Sequence, residues 1–115
     1  MLLQFSEKSI ALDSIALDNE GFLKNLADWD KPVATALASN EGLSLDETHW
    51  EVIHLVRNFY QEFELSPSMR PMVKYIAQHL GKEKGNSLYL LHLFPGSPAK
   101  IVSKLAGLPK PDNCL

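Results

Sequence analysis

Cys114 is the only cysteine among the 115 residues of this chain, and only Leu115 follows it. A cysteine thiolate is a nucleophile that exchanges sulfur with disulfides and persulfides. Unpaired cysteines usually lie buried as small hydrophobic residues, but Cys114 follows Pro109 and Pro111, which oppose helix formation. We therefore expect residues 108–115 to form a mobile arm that presents the thiol, and any disulfide or persulfide chemistry to be intermolecular.

The other residues that often carry chemistry do not fall into a recognisable pattern. His49, His54, His79 and His92 lack the i, i+4 spacing that places two imidazoles beside one metal ion. The sequence also lacks a glycine-rich phosphate loop and a nucleophile elbow. It therefore predicts no metal site and no cofactor.

The composition is that of one globular domain, with 45% hydrophobic and 22% charged residues. No apolar run approaches the roughly 18 residues of a membrane helix, and residues 1–7 are too short and too soon charged for a signal peptide. We expect a cytoplasmic protein without membrane contact. The net charge of −3 argues against DNA binding by bulk phosphate neutralisation, which needs a concentrated basic face.

The body that positions the arm is predicted to begin with strands. Residues 9–13 and 14–18 are near-copies with β-type alternation, and residues 18–21 provide turn-forming side chains. We expect a small β-hairpin over about residues 9–23. It must pack on helices, because an isolated hairpin is only marginally stable.

The remainder of the body, about residues 30–106, is predicted to be helical. Pro32 marks the first turn of a short helix, and Ser44 with Glu47 has the capping-box spacing that begins the next. That helix, residues 47–63, is expected to be the central core helix because extra apolar residues widen its stripe. Ser68 is predicted to cap the following helix. These later helices span residues 69–80, 87–93 and 98–106, and Gly107 ends a single compact domain, residues 1–107.

Residues 47–63 and 69–80 also have the order of a helix-turn-helix, with Arg70 and Lys74 available to contact DNA. Two helices packed in a small bundle have the same pattern, and two basic residues in a net acidic chain are weak support. A DNA-binding or redox-regulatory protein is therefore an alternative interpretation.

Several segments resemble one known family. Leu93–Lys100 and Lys104–Leu115 closely resemble the carboxy-terminal signature of the DsrC/TusE sulfur-carrier family. Earlier segments agree in order and rough spacing, namely Leu17–Leu23, Leu26–Trp29, His49–Val52 and Met69–Lys74. The resemblance therefore spans nearly the whole chain.

The resemblance implies an α+β fold, mostly α, in which an N-terminal β-hairpin packs on a winged-helix-like helical bundle and a flexible arm carries the reactive cysteine. Members of the dissimilatory branch have a second cysteine eleven residues before the penultimate one, and Ser103 occupies that position here. The chain thus resembles the TusE branch, and a DsrC-like partner of a dissimilatory sulfite reductase is a further alternative. Ser97 and Asn113 stand where the family usually has glycine.

Similarity to the TusE branch implies a sulfurtransferase that acts as a persulfide carrier. Cys114 would accept sulfur from a TusBCD-like donor and pass it to a tRNA 2-thiouridylase similar to MnmA, with or without bound tRNA. The sulfur would serve 2-thiolation of the wobble uridine. The resemblance implies no cofactor.

The charges near the thiol lead to a prediction about supporting residues. Asp112 and the carboxylate of Leu115 would disfavour a thiolate at position 114. We therefore expect Arg70, Lys104, Lys110 or a positive pocket on a partner to offset them when the arm docks.

Overall fold

The computed structural model describes residues 12–112, and five α-helices lie between residues 31 and 105. A short 3-10 helix, Leu26–Asp28, precedes them. The helices are α1 (Lys31–Asn40), α2 (Glu47–Phe63), α3 (Met69–Leu80), α4 (Ser87–Leu93) and α5 (Pro98–Leu105). The predicted helical body is confirmed, and the bounds of α2, α3 and α4 are those predicted.

The predicted β-hairpin is wrong, and the described chain is helical rather than α+β. Leu12 and Asp13 are helical, and the antiparallel contact between Leu17 and Leu23 is an isolated bridge rather than a pair of strands. Residues 9–11 of the predicted hairpin lie outside the described residues.

Local side-chain bonds explain why the pairing goes no further. The carboxylate of Asp18 accepts the backbone N–H groups of Glu20 at 2.8 Å and Phe22 at 3.0 Å, which closes a tight turn. Beyond the bridge, Asn25 accepts the N–H of Ala27 and begins the 3-10 helix. Side-chain bonds of this kind compete with strand ladders, so the chain leaves the extended conformation after one bridge.

Helix α2 begins with a different cap from the one predicted. Asp46, not Ser44, is the N-cap, because its carboxylate accepts the backbone N–H groups of Thr48 and His49. The Nδ1 atom of His49 accepts the N–H of Asp46 in return, so histidine completes the capping box. The buried Nε2–H then donates to the carbonyl of Leu93 at 3.0 Å. Ser68 is the N-cap of α3, as predicted, although its hydroxyl makes no capping bond.

The central helix is α5 rather than α2. It packs against each of the other four helices, and Val102, Ser103 and Leu105 on it are fully buried. Small residues such as Ala99 and Ser103 let neighbouring helices approach closely on several sides. Residues 106–112 therefore follow directly on the best-packed helix of the body. No helix within residues 12–112 has the length and apolar character needed to cross a membrane.

Candidate functional site

Cys114 lies outside the described residues, so the structure bears on it through the root of the arm, residues 106–112. This root leaves the end of α5 and passes the α2–α3 loop and the turn at residues 18–21. The contacts made there fix where residues 106–112 lie on the body. The mobility of the arm and the division at residue 107 stay predictions.

The end of α5 is held by two side chains from elsewhere in the chain. Trp29 Nε1–H donates to the carbonyl of Leu105 at 2.8 Å, and Arg57 Nη1–H donates to the carbonyl of Ala106 at 2.6 Å. The last carbonyls of a helix have no partner within it, so these bonds satisfy groups that would otherwise need water. The guanidinium also lies 3.8 Å from the centre of the Trp29 ring. Desolvation lowers the pKa of Arg57, but arginine stays charged at any physiological pH.

Gly107 makes the turn by which the chain leaves α5. Its φ is +74°, and a Cβ placed on it would lie 2.4 Å from Cδ1 and 2.8 Å from Cβ of Trp29. A side chain at position 107 would therefore meet both an unfavourable backbone conformation and an occupied space. The close approach of Trp29 to the backbone depends on glycine here.

The next residues of the root lie against the body. Leu108 and Pro111 are buried, whereas Pro109 and Lys110 between them are exposed. The Ser66 hydroxyl donates to the carbonyl of Pro109 at 2.6 Å. Ser66 is itself 6% exposed, so this bond is partly shielded from water.

Lys110 is held by a second segment of the body, the turn at residues 18–21. Its Nζ lies 3.1 Å from Oε2 of Glu20, and Nζ of Lys100 lies 2.9 Å from Oε1 of the same carboxylate. Hydrogen bonds from Lys100 and then Lys110 hold the pKa of Glu20 below its usual value. Glu20 therefore joins helix α5 to the root of the arm through one carboxylate.

A shallow cleft of about 180 Å³ lies between the root of the arm and the end of α2. Asp112, two residues before Cys114, is part of its lining. Phe63 and Leu65 nearby are 49% and 55% exposed. Its lining residues are Tyr60, Glu64, Leu65, Ser66, Pro109, Lys110 and Asp112.

The three predicted supporting cations are not brought together as one group. Lys104 lies 2.8 Å from Glu41, with only 12% of its side chain exposed, and is thus bound to the body. Lys110 is paired with Glu20, and both lysines lie beside the turn at residues 18–21. Arg70 is exposed at the second position of α3 and forms no ion pair with a carboxylate of residues 12–112. Of the three, Arg70 alone lacks an acidic partner in the described part of the chain.

Ser103 is completely buried, and its Oγ has no hydrogen-bond partner among residues 12–112. Its backbone carbonyl accepts the N–H of Leu108 at 2.9 Å, which fixes the first residue after Gly107. Position 103 therefore has a buried hydroxyl group, whereas a cysteine there would provide a second thiol besides that of Cys114.

Ser66, Glu20, Trp29 and Arg57 were not among the residues predicted for this site. The sequence did contain one hint for Arg57, because a positively charged residue directly follows the apolar residues Leu55 and Val56 of α2. The other three gave no local signal, because their partners lie tens of residues away in sequence. Between residues 12 and 112, no group of three or more His, Cys, Asp or Glu side chains is placed to hold a metal ion.

Comparison with known proteins gives a consistent result over nearly the whole chain. The family model described as "DsrC like protein" matches residues 9–115, which include Cys114. The protein named Sulfurtransferase TusE in Yersinia pseudotuberculosis is 54% identical over 101 residues, which are 88% of this chain and 94% of that protein. Its namesake in Pectobacterium atrosepticum is 49% identical over 114 residues, covering 99% of this chain and 100% of that protein.

A solved structure is also similar. The NMR structure of DsrC from Allochromatium vinosum superposes with a TM-score of 0.80 at 46% identity, covering 88% of this chain and 90% of that one. The resemblance drawn from the sequence is confirmed.

Proposed function

Because this chain belongs to the family of DsrC-like proteins, we propose that Cys114 is the residue on which it carries sulfur. The chain is a sulfurtransferase with a role in sulfur relay, as its relatives at about half identity are. The observation that carries the assignment of Cys114 is the sequence itself: it is the only thiol, and it lies within the segment matched by the family.

The proposed chemistry consists of two exchange reactions between sulfur atoms. The Cys114 thiolate attacks the outer sulfur of a donor cysteine persulfide, a new S–S bond forms, and the donor sulfur leaves as a thiolate. The product is a persulfide on Cys114. In the second step an acceptor thiolate takes the outer sulfur, and Cys114 leaves as a thiolate. No external oxidant or reductant is needed, since each step breaks one S–S bond and forms another.

The partners are part of the proposal. The donor is a TusBCD-like complex, and the acceptor is an MnmA-like tRNA 2-thiouridylase that thiolates the wobble uridine in the cytoplasm. The TusE names of the relatives support this choice. The hydroxyl at Ser103 further favours a one-thiol carrier over a protein that closes an internal disulfide.

The test is the intact mass of the reduced protein after incubation with a cysteine desulfurase, L-cysteine and the TusBCD complex. One persulfide adds about 32 Da and is removed by a reductant. Wild-type protein should gain one sulfur, and Cys114→Ser should gain none. A gain in Cys114→Ser, or none in the wild type beside a loaded donor, would overturn the assignment.

A matched control moves the single thiol to the core. In Ser103→Cys combined with Cys114→Ser the chain still has one cysteine, but at a completely buried position. This variant should gain no sulfur, whereas Cys114 in wild-type protein should. Equal loading of both would show that any thiol of the chain is sufficient and that the arm has no special role.

A further inference from the structure

Two contacts from separate loops hold successive residues of the arm's root. Ser66, between α2 and α3, donates its hydroxyl to the carbonyl of Pro109 at 2.6 Å. Glu20, in the turn at residues 18–21, accepts from Nζ of Lys110 at 3.1 Å. Ser66 binds a backbone carbonyl and Glu20 binds a side chain, so two adjacent residues of the root are held by two different kinds of contact.

Burial on either side of these contacts strengthens the grip. Leu108 is 3% exposed, and Pro111 is also buried. Apolar side chains thus anchor the root before and after the two polar bonds, and the root lies along the body instead of leaving it at Gly107. An exposed ion pair alone contributes little, but here it closes one side of a site that burial and a shielded hydroxyl bond already define.

These contacts limit how far Cys114 can move from the body. A fully extended chain spans at most about 3.6 Å per residue, so three residues from Pro111 reach about 11 Å and six residues from Leu108 reach about 22 Å. Moving the pivot from Leu108 to Pro111 therefore confines the thiol. Its local concentration at a docked partner rises by about three- to eightfold, depending on whether the segment behaves as a coil or as a rod.

We propose that Ser66 and Glu20 are positioning residues for sulfur transfer, which hold the root of the arm so that its pivot lies at Pro111. The inference rests on the proposed function of Cys114, but concerns where the thiol is held rather than whether it reacts. Neither residue touches the transferred sulfur in this account. Their loss should slow transfer between proteins and leave the intrinsic reactivity of the thiol unchanged.

The substitution Glu20→Gln also distinguishes a positioning role of Glu20 from a chemical role of Lys110. If Lys110 acted by favouring the Cys114 thiolate, Glu20→Gln would free the ammonium group and speed the reactions of the thiol. If Glu20 acts by positioning, the same substitution lengthens the free arm and slows transfer. The two accounts therefore predict opposite signs for one variant.

The first measurement uses the single cysteine as a labelling site. A thiol-reactive fluorophore on Cys114 of the full chain reports the amplitude of arm motion through time-resolved anisotropy. The residual anisotropy should fall in Ser66→Ala and in Glu20→Gln. Matched controls are Ser68→Ala, since the Ser68 hydroxyl caps nothing, and Glu83→Gln, since Glu83 is exposed and remote in sequence from the arm; both should equal the wild type.

The second measurement compares two reactions of unlabelled protein. Alkylation of Cys114 by iodoacetamide tests the thiol alone, and sulfur uptake from preloaded TusBCD complex tests presentation to a partner. Ser66→Ala and Glu20→Gln should lower kcat/KM for uptake by about three- to eightfold and leave alkylation at the wild-type rate. Far-UV circular dichroism establishes that each variant is folded, and Glu20, which is exposed, provides the variant with the smaller risk to folding.

Each outcome has one meaning for the inference. Lower anisotropy with slower uptake and unchanged alkylation supports it. Wild-type anisotropy, wild-type uptake or an altered alkylation rate in both variants would overturn it. A wild-type protein that accepts no sulfur from TusBCD would overturn the proposed function instead, whereas a fall in anisotropy would still show that the root is gripped.

Discussion

Trp29 and Arg57 bind successive carbonyls at the end of one helix while stacking on each other. The indole N–H donates to the carbonyl of Leu105, and the guanidinium donates to the carbonyl of Ala106. The guanidinium carbon lies 3.8 Å from the centre of the indole ring. A cation at a helix C-terminus is also favoured by the helix dipole. The pair therefore closes α5 at the point where the arm begins.

Replacing Trp29 by Phe should cost about 1 kcal/mol of unfolding free energy, because a ring remains but the carbonyl of Leu105 loses its donor. Urea unfolding followed by far-UV circular dichroism measures the change without depending on tryptophan fluorescence. Arg57→Lys should also destabilise, since an ammonium group neither stacks flat on the indole nor offers the guanidinium fork. The two substitutions should couple in a double-mutant cycle, and strict additivity would show that the stack contributes nothing.

Gly107→Ala should destabilise more than Gly42→Ala. Both glycines have nearly the same φ, +74° and +75°, but a Cβ at position 42 meets nothing within 4 Å, whereas one at position 107 meets Trp29 at 2.4 Å. The left-handed conformation alone should cost about 1 kcal/mol in Gly42→Ala. Overpacking should add about 1–3 kcal/mol in Gly107→Ala. Equal losses in urea unfolding would mean that Trp29 moves aside without cost.

The helices were predictable from sequence where local chemistry determines them. Helix α2 was predicted over its observed range because apolar residues recur at helical spacing. Its cap was misassigned because Ser44 matched a familiar spacing, while the histidine that completes the box with Asp46 did not. The hairpin failed for a similar reason: the alternation of residues 9–18 is compatible with strands, but the side chains of Asp18 and Asn25 bind nearby backbone N–H groups instead.

The contacts that hold the arm could not be predicted in the same way. Trp29 and the carbonyl it binds are 76 residues apart, and Ser66 is 43 residues from Pro109. Such pairs depend on how the helices pack against one another. The helix at the centre of that packing, α5, is short and contains small residues, so its sequence has no long apolar stripe that would mark it as central. The chemistry proposed for Cys114 comes from its place in the sequence, whereas the contacts at the root of the arm are seen only in the folded body.

Asp46 should make the stability of the protein sensitive to acid. The Thr48 hydroxyl and the backbone N–H of His49 hydrogen-bond to its carboxylate and lower its pKa far below the usual 3.8. A carboxyl group with a lowered pKa in the folded state stabilises above its unfolded pKa, and that stabilisation is lost as pH falls through the folded value. The difference in unfolding free energy between wild type and Asp46→Ala should therefore be largest near neutral pH and shrink below about pH 3.8.

The largest cause of that shift can be tested separately. Thr48→Val removes the hydroxyl that donates to Asp46 and should raise the pKa of this carboxyl, as followed by ¹³C NMR titration. An unchanged titration would place the whole effect on His49.

Ser103→Ala should be neutral or stabilise the fold by up to about 1 kcal/mol. The hydroxyl is buried without a partner in residues 12–112, so its removal relieves an unsatisfied polar group and leaves the shape nearly unchanged. Ser66→Ala should have the opposite sign, because that hydroxyl donates to Pro109. Urea unfolding of the two variants compares a buried serine that makes no hydrogen bond with one that makes one. A clear loss of unfolding free energy in Ser103→Ala would show that the Ser103 hydroxyl has a hydrogen-bond partner elsewhere in the chain.

Arg70 is the remaining candidate for a cation that assists the thiol. Lys104 and Lys110 are paired with Glu41 and Glu20, whereas Arg70 is exposed at the start of α3, where the helix dipole disfavours a positive charge. If Arg70 offsets the carboxylates next to Cys114, Arg70→Gln should lower the thiolate fraction and slow alkylation by iodoacetamide at neutral pH by about two- to threefold. Lys74→Gln, one turn further along the same helix, is the matched control and should react at the wild-type rate. Equal slowing in both variants would point to net charge rather than to Arg70, and added salt would then abolish the difference from wild type.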